Sequence, residues 1–171
     1  GSCHTGQLLT DFGFHAMGDL QIGPGKGARF ESHNRDIGRA RVTNDDVDLY
    51  KFRTPSLRNV VLNAPYGHVG AIDDLAAYLQ HHSAPRAGWA ACARNDVKMP
   101  KLADKPVFSI AVDATEVDAI LAAVKADDKP LSAENLSTLV TFLESLTGET
   151  ALQGGRLGVP DTVPSGLPVD R

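Results

Sequence analysis

Cys3 and His4 stand side by side in GSCHTG, joining a thiol to an imidazole at the start of the chain. A c-type haem is held by C-x-x-C-H, where two thiols clamp the porphyrin covalently and the histidine binds the iron. Here the second Cys and the His are present, and the position of the first Cys falls before Gly1. By themselves these residues are either half of that motif or a Cys beside a His. A second imidazole sharpens the question. Leu75, Tyr78, Leu79 and His82 recur at i, i+3, i+4 and i+7, one face of a helix, so His82 points with an apolar stripe. His81 points about a quarter-turn away. An inward imidazole needs a partner, either a buried acceptor or a metal. His15, His33 and His68 need no special role, and His33 in ESHNRD reads as solvated.

The elements that would position these residues are mainly helical. AIDDLAAYLQHHSAP (71–85) reads as a helix with Asp73 and Asp74 in its first turn, where the macrodipole favours negative charge, and Pro85 as its stop. TEVDAILAAVKA (115–126) opens with Thr115 three residues before Asp118, a capping-box arrangement, and carries Val117, Ile120, Leu121 and Val124 as one apolar stripe. SAENLSTLVTFLESLTG (132–148) has Ser132 as N-cap, Gly148 as its stop, and Leu136, Leu139, Val140 and Leu143 as its buried face. Residues 1 to about 70 are rich in Gly and turn formers. In FRTPSLRNVVLNAPYGHVG (52–70), Pro55 and Pro65 exclude a helix and leave backbone carbonyls available to ligands. The Gly/Pro tail from 149 to 171 has no periodicity and reads as extended or disordered.

Composition narrows the classes. The 171 residues suit one domain, with 42% hydrophobic and 22% charged residues. A net charge of −4, with both signs mixed, argues against a nucleic-acid surface or an anionic membrane. No apolar run approaches the ~20 residues that span a bilayer. The lack of an initiator Met and of an export signal is expected of an internal or C-terminal piece. GPGKG (23–27) lacks the Lys-Ser/Thr ending of a phosphate loop and reads as a solvated turn. The acids of VTNDDVDLY (42–50) do not alternate as calcium ligands do, so a surface loop is expected there.

With these residues in view, the chain resembles the C-terminal half of a bacterial di-haem cytochrome c peroxidase of the MauG-like branch. The matching segments are CHTGQLLTDFGFHAMG (3–18), IGPGKG (22–27), DIGRARVT (36–43), YKFRTPSLRNVVLNAPYGHVGAIDDLAAYLQHH (50–82), LVTFLESLTG (139–148) and VPSGLPVDR (163–171). The most specific is FRTPSLRNVVLNAPYGHVG. Residues 86 to about 112 match least and look like a variable insertion holding Trp89 and Cys92; Cys92 reads as a partly buried free thiol.

The resemblance implies a cytochrome c-like haem domain over 1–148, with long irregular loops and few or no strands, followed by the tail. It implies that the residue before Gly1 is Cys, that Cys3 makes one thioether, and that His4 is the proximal ligand. Family members reduce hydrogen peroxide, or use it for protein oxidation, at a haem in the N-terminal half, and the C-terminal haem passes electrons toward it. No catalytic residue is therefore expected in this half. The register through APYGHVG places His82 at the distal position, where relatives carry Met or Tyr. Bis-His ligation is implied, with a potential below that of Met-ligated relatives. The family's interdomain calcium would meet the backbone carbonyls of Asn63 and Pro65. Arg58 is expected to pair with a haem propionate or to form a structural salt bridge. His15 and His68 are expected to support or pack rather than ligate. Met99 is a second thioether candidate, poorly aimed before Pro100.

Expected cofactors are thus haem c and calcium. Expected partners are the N-terminal haem domain, hydrogen peroxide, and a small redox-protein donor or protein substrate. The resemblance implies haem attachment outside the cytoplasm, so the periplasm is the expected compartment. Two rivals stand beside this reading. A mono-haem cytochrome c that only carries electrons would lack a second C-x-x-C-H upstream. A zinc module using Cys3, His4 and other histidines lacks any complete C-x-x-C or H-x-x-x-H pair.

Overall fold

The computed structural model describes residues 2–21, 35–91, 114–152 and 164–166. GPGKG, His33, Cys92, Met99 and most of the tail lie outside them. The described elements are mostly helical, with one two-stranded antiparallel ladder.

The first part of the chain is a series of tight loops. Cys3 to Asp11 folds back on itself: the Thr10 N–H donates to the Thr5 carbonyl at 2.9 Å and the Asp11 N–H to the Cys3 carbonyl at 2.8 Å. Strand β1 (Phe14–His15) then pairs with β2 (Phe52–Arg53), placing Phe14 opposite Arg53 and His15 opposite Phe52. The residues after β2 clasp the first loop. The Thr10 hydroxyl donates to the Thr54 carbonyl at 2.8 Å, and the Ser56 hydroxyl to the Leu8 carbonyl at 2.6 Å. The short helix α1 (Ala40–Thr43) and a 3-10 turn (Asp46–Asp48) lie between the strands. Asp48 there pairs with Arg39 at 3.1 Å and Lys51 at 3.2 Å, so this acid of the 42–50 segment is engaged by cations of its own loop.

A second 3-10 turn (Val60–Leu62) leads to helix α2 (Leu75–Ser83). This helix begins later than its sequence suggests. Asp74 is its N-cap, accepting the Ala77 N–H at 2.7 Å, so neither Asp73 nor Asp74 lies in the first turn. One carboxylate that satisfies an orphan N–H competes well with one that only faces the dipole. Pro85 does more than end α2: it is the first residue of α3 (Pro85–Ala91). Proline suits that place because its missing N–H has no helical partner there. Ala84, at φ −145° and ψ 69°, is the whole connection, and α3 packs against α2, with Gly88 against the His81 ring.

Helix α4 (Ala114–Ala123) is already formed at Ala114, which puts Thr115 inside the first turn rather than at a cap. Its expected stripe is inward: Ile120 and Val124 are buried, and Val117 and Leu121 partly so. Arg86 of α3 reaches the end of α4, donating to the carbonyls of Val124 and Ala126 and pairing with Asp128. Helix α5 (Ala133–Ser145) has Ser132 as N-cap, accepting the Asn135 N–H at 3.2 Å. It stops at Leu146, before Gly148, and the first tail residues form a short helix, α6 (Glu149–Leu152). Leu143, the buried residue of α5, faces the same cavity as α2.

Candidate functional site

The apolar face of α2 lines a cavity. Leu75, Tyr78, Leu79 and His82 all border a space of about 410 Å3, closed elsewhere by Phe52, Leu57, Val60, Leu139 and Leu143. A second lobe of about 250 Å3 adds Ser2, Cys3, His15 and Met17. The two lobes share His4, Asp19, Phe52, Arg53, Pro55, Tyr78 and His82, so they form one cleft. The Cys-His pair and the helix histidine thus lie against the same space, although 78 positions separate His4 from His82.

Their geometry is informative. The rings of His4 and His82 have centroids 6.4 Å apart and planes inclined by 53°. An imidazole nitrogen binds a metal at about 2 Å and lies about 1.1 Å from its own ring centre. Two histidines on opposite sides of one ion therefore have centroids roughly 6 Å apart. The outer nitrogen of His4 is already engaged: Nδ1 lies 3.1 Å from the Leu9 carbonyl. A carbonyl only accepts, so Nδ1 is the donor in that bond, and Nε2 is the nitrogen available for a metal. Among the described residues His82 has no hydrogen-bond partner, and its ring lies 5.6 Å from that of Tyr78. Burial holds its pKa below the ordinary histidine value; Asp19 opposes that shift, and the neighbouring His4 and His81 add to it. A neutral imidazole keeps its lone pair for a metal.

The remaining walls are mostly apolar and aromatic, with Asp19 and Arg53 as charged exceptions. Phe52 stacks on His68 with centroids 3.7 Å apart, and His68 is fixed by the buried Asp36 carboxylate at 2.7 Å. Tyr78 stacks on Tyr66 at 5.9 Å. Its phenol pKa is raised, chiefly by burial and then by the charge of Asp19. These residues fit a flat, largely apolar group with a metal at its centre and a thioether at its edge: two imidazoles with ring centroids 6.4 Å apart, a cysteine on the lining, and aromatic walls.

The other candidates fall as follows. Cys3 lines the smaller lobe, and its ligand atom lies within 4.8 Å of those of Asp11 and His15. Asp11 is committed to its own loop, accepting from His15 Nε2 at 2.7 Å and from the Gly13 N–H at 2.8 Å. Arg58 does not line the cleft. Its guanidinium donates to the Gln7 carbonyl at 3.0 Å and so helps clasp the Cys-His loop. Arg53 is the arginine on the cavity wall, with its guanidinium 4.8 Å over the Phe12 ring. Asn63 and Pro65 are exposed at the edge of the larger lobe, beyond the 3-10 turn. Met17, a thioether on the wall beside His4, was not singled out from sequence, although FHAMGD carries it only 13 residues after that histidine.

A mostly helical chain with this His/Cys-lined cleft defines a haem-domain candidate, and comparison with known proteins points the same way. No protein-family model matches the sequence. The methylamine utilization protein MauG of Methylorubrum extorquens is 34% identical over 83 residues, 47% of this chain and 20% of that protein. The cytochrome c peroxidase Ccp of Escherichia coli is 36% identical over 77 residues, 43% of this chain and 15% of that one. The cytochrome-c peroxidase IdrP1 of Denitromonas iodatirespirans is 30% identical over 118 residues, 58% of this chain and 31% of its own length. Among solved structures, a MauG-like protein associated with microbial copper homeostasis superposes with a TM-score of 0.53 at 26% identity, over 93% of this chain and 45% of that one. The chain is therefore similar to MauG-like and cytochrome c peroxidase proteins, and it spans less than half the length of those it matches. Among the described residues, no helix is long and apolar enough to cross a membrane.

Proposed function

We propose that this chain is the electron-transfer haem domain of a periplasmic di-haem peroxidase, with a cytochrome c-like architecture. The observation that carries this reading is the pair of imidazoles lining one cleft, His4 and His82, with ring centroids 6.4 Å apart. His4 is the proximal ligand, oriented by the Leu9 carbonyl, His82 the distal ligand, and Cys3 one thioether attachment. Haem c bound there would take up and give back one electron at a time. His4 and His82 are the residues that would hold the iron, and with both bound no ligand position would be left for peroxide. Two imidazoles in place of one imidazole and a thioether would set the potential below that of a Met-ligated relative, while the largely apolar walls, which disfavour the more charged ferric form, would oppose part of that fall. Arg53, on the wall, is a cation that could pair with a haem carboxylate, while Arg58 would serve the loop that carries Cys3 and His4. The carbonyls of Asn63 and Pro65 would contribute to a calcium site completed by another domain. Peroxide reduction, or peroxide-dependent oxidation of a protein, would take place at a second haem outside this chain, with a small redox protein as donor.

The test is spectroscopy of the haem-loaded protein. His82→Ala should convert a low-spin, six-coordinate signal to high-spin. His82→Met should keep six ligands and raise the midpoint potential, and Met17→Ala should leave the signal unchanged. A high-spin signal from Met17→Ala with none from His82→Ala would refute the bis-His reading.

A further inference from the structure

His81 is the residue that the stripe analysis leaves off the cavity face, yet it is among the most buried side chains described, 5% exposed. Its Nε2 lies 3.0 Å from the Gly18 carbonyl, and the Trp89 indole donates to the same oxygen at 2.8 Å. Two elements are therefore tied to one backbone atom: α2 through His81 and α3 through Trp89.

The space around this junction is tailored to it. A Cβ at Gly88 would run into the His81 ring at Nδ1, with Cγ 3.0 Å and Cε1 3.1 Å away. A Cβ at Gly18 would meet the Pro85 Cβ at 2.7 Å, and Gly18 has φ +71°, where side chains are strained. Both flanks of Gly18 belong to the site, since Met17 and Asp19 line the cleft beside His82.

We propose that His81 is a positioning residue for His82. By donating from Nε2 to the Gly18 carbonyl, it fixes the roll of α2 about its axis, and with it the plane and reach of the His82 imidazole. The inference rests on His82 acting as an iron ligand. Helical side-chain tips lie about 5–6 Å from the axis, so a roll of only about 10° moves them roughly 1 Å. Metal sites tolerate distance errors of only about 0.2 Å. A purely apolar residue at 81 would fill the volume without setting the angle, because dispersion contacts are non-directional and a hydrogen bond is not.

The test is low-temperature paramagnetic resonance of the haem-loaded protein, since low-spin g values report the mutual orientation of two axial imidazole planes. His81→Gln keeps an N–H donor and should retain the wild-type g values. His81→Leu keeps volume without the donor and should displace them, with a severalfold rise in high-spin signal. Gly88→Ala keeps His81 but displaces its ring, and should shift the signal even if His81→Leu does not fold. Trp89→Phe removes the other donor to Gly18 and should shift it less. Wild-type g values in His81→Leu or Gly88→Ala at equal haem content would overturn the proposal. An equal shift in Trp89→Phe would also overturn it, by assigning the effect to Gly18 rather than His81. If His82→Ala leaves the wild-type signal intact, the ligand assignment itself fails, a result separable from these.

Discussion

Gly88→Ala sets two effects of opposite sign against each other. Gly88 lies inside α3, where alanine is intrinsically favoured by about 1 kcal/mol because glycine has more backbone freedom to lose. If only local propensity mattered, the substitution would stabilise the protein. The new methyl group, however, falls on the His81 ring, which its bond to Gly18 holds in place. Relief requires the ring to move, sacrificing a hydrogen bond with a net contribution of about 0.5–1.5 kcal/mol. Overpacking of the surrounding core typically costs about 1–3 kcal/mol more. The balance is a destabilisation of roughly 1–3 kcal/mol, or a fall in melting temperature of roughly 3–10 °C for a chain of this size. Urea denaturation followed by circular dichroism measures it directly. Combining Gly88→Ala with His81→Ala should cost clearly less than the sum of the single changes, since the second removes the ring that the first strikes. A Gly88→Ala protein as stable as the wild type, or additive behaviour in the double variant, would refute the packing argument.

Asn59 has φ +57°, and its side-chain oxygen accepts the Gly148 N–H at 2.9 Å, joining the 52–70 segment to the end of α5. Asn59→Ala should destabilise by about 1.5–3 kcal/mol, from left-handed strain plus the lost bond, while Asn59→Gly should lose only the bond; equal losses in urea denaturation would contradict this. Burial holds His81 and His82 below the ordinary histidine pKa, so in the haem-free chain both are neutral where an unfolded histidine would protonate. Stability should be flat above about pH 6.5 and fall below it, by at most about 1.4 kcal/mol per pH unit for each ring, because only the unfolded state gains the protons there. Replacing both histidines by Gln should flatten that window, leaving the carboxylate-driven loss at lower pH; an unchanged slope near pH 6 would exclude these rings as its source.

Sequence alone identified what is local. The spacing of Leu75, Tyr78, Leu79 and His82 determined that one helix face carries an imidazole, because side-chain direction in a helix repeats every 3.6 residues whatever surrounds it. Ser132 was legible as a cap for the same reason: its hydroxyl meets an N–H three residues away. The Cys3–His4 pair showed by residue type only that a thiol and an imidazole adjoin, which left both half a haem motif and an ordinary neighbouring pair open. What each face would meet was not written locally. The apolar stripe of α2 lines a cleft, and His81, a quarter-turn away, is buried because α3 turns back at Pro85 and covers it. Pro85 looked like a stop because proline cannot continue a helix, but it serves equally as the first residue of the next. Arg53 and Arg58 are chemically equivalent in sequence; only the pairing of β1 with β2 puts the first on the cavity wall, and only the clasp on Gln7 takes the second away from it. Met17 reaches the wall because the loop after His4 folds back on itself, a long-range consequence of Thr10 and Ser56 bonding across some 45 residues. Helix periodicity decides direction; which side chain faces ligand, core or water is decided by the segments that close over it.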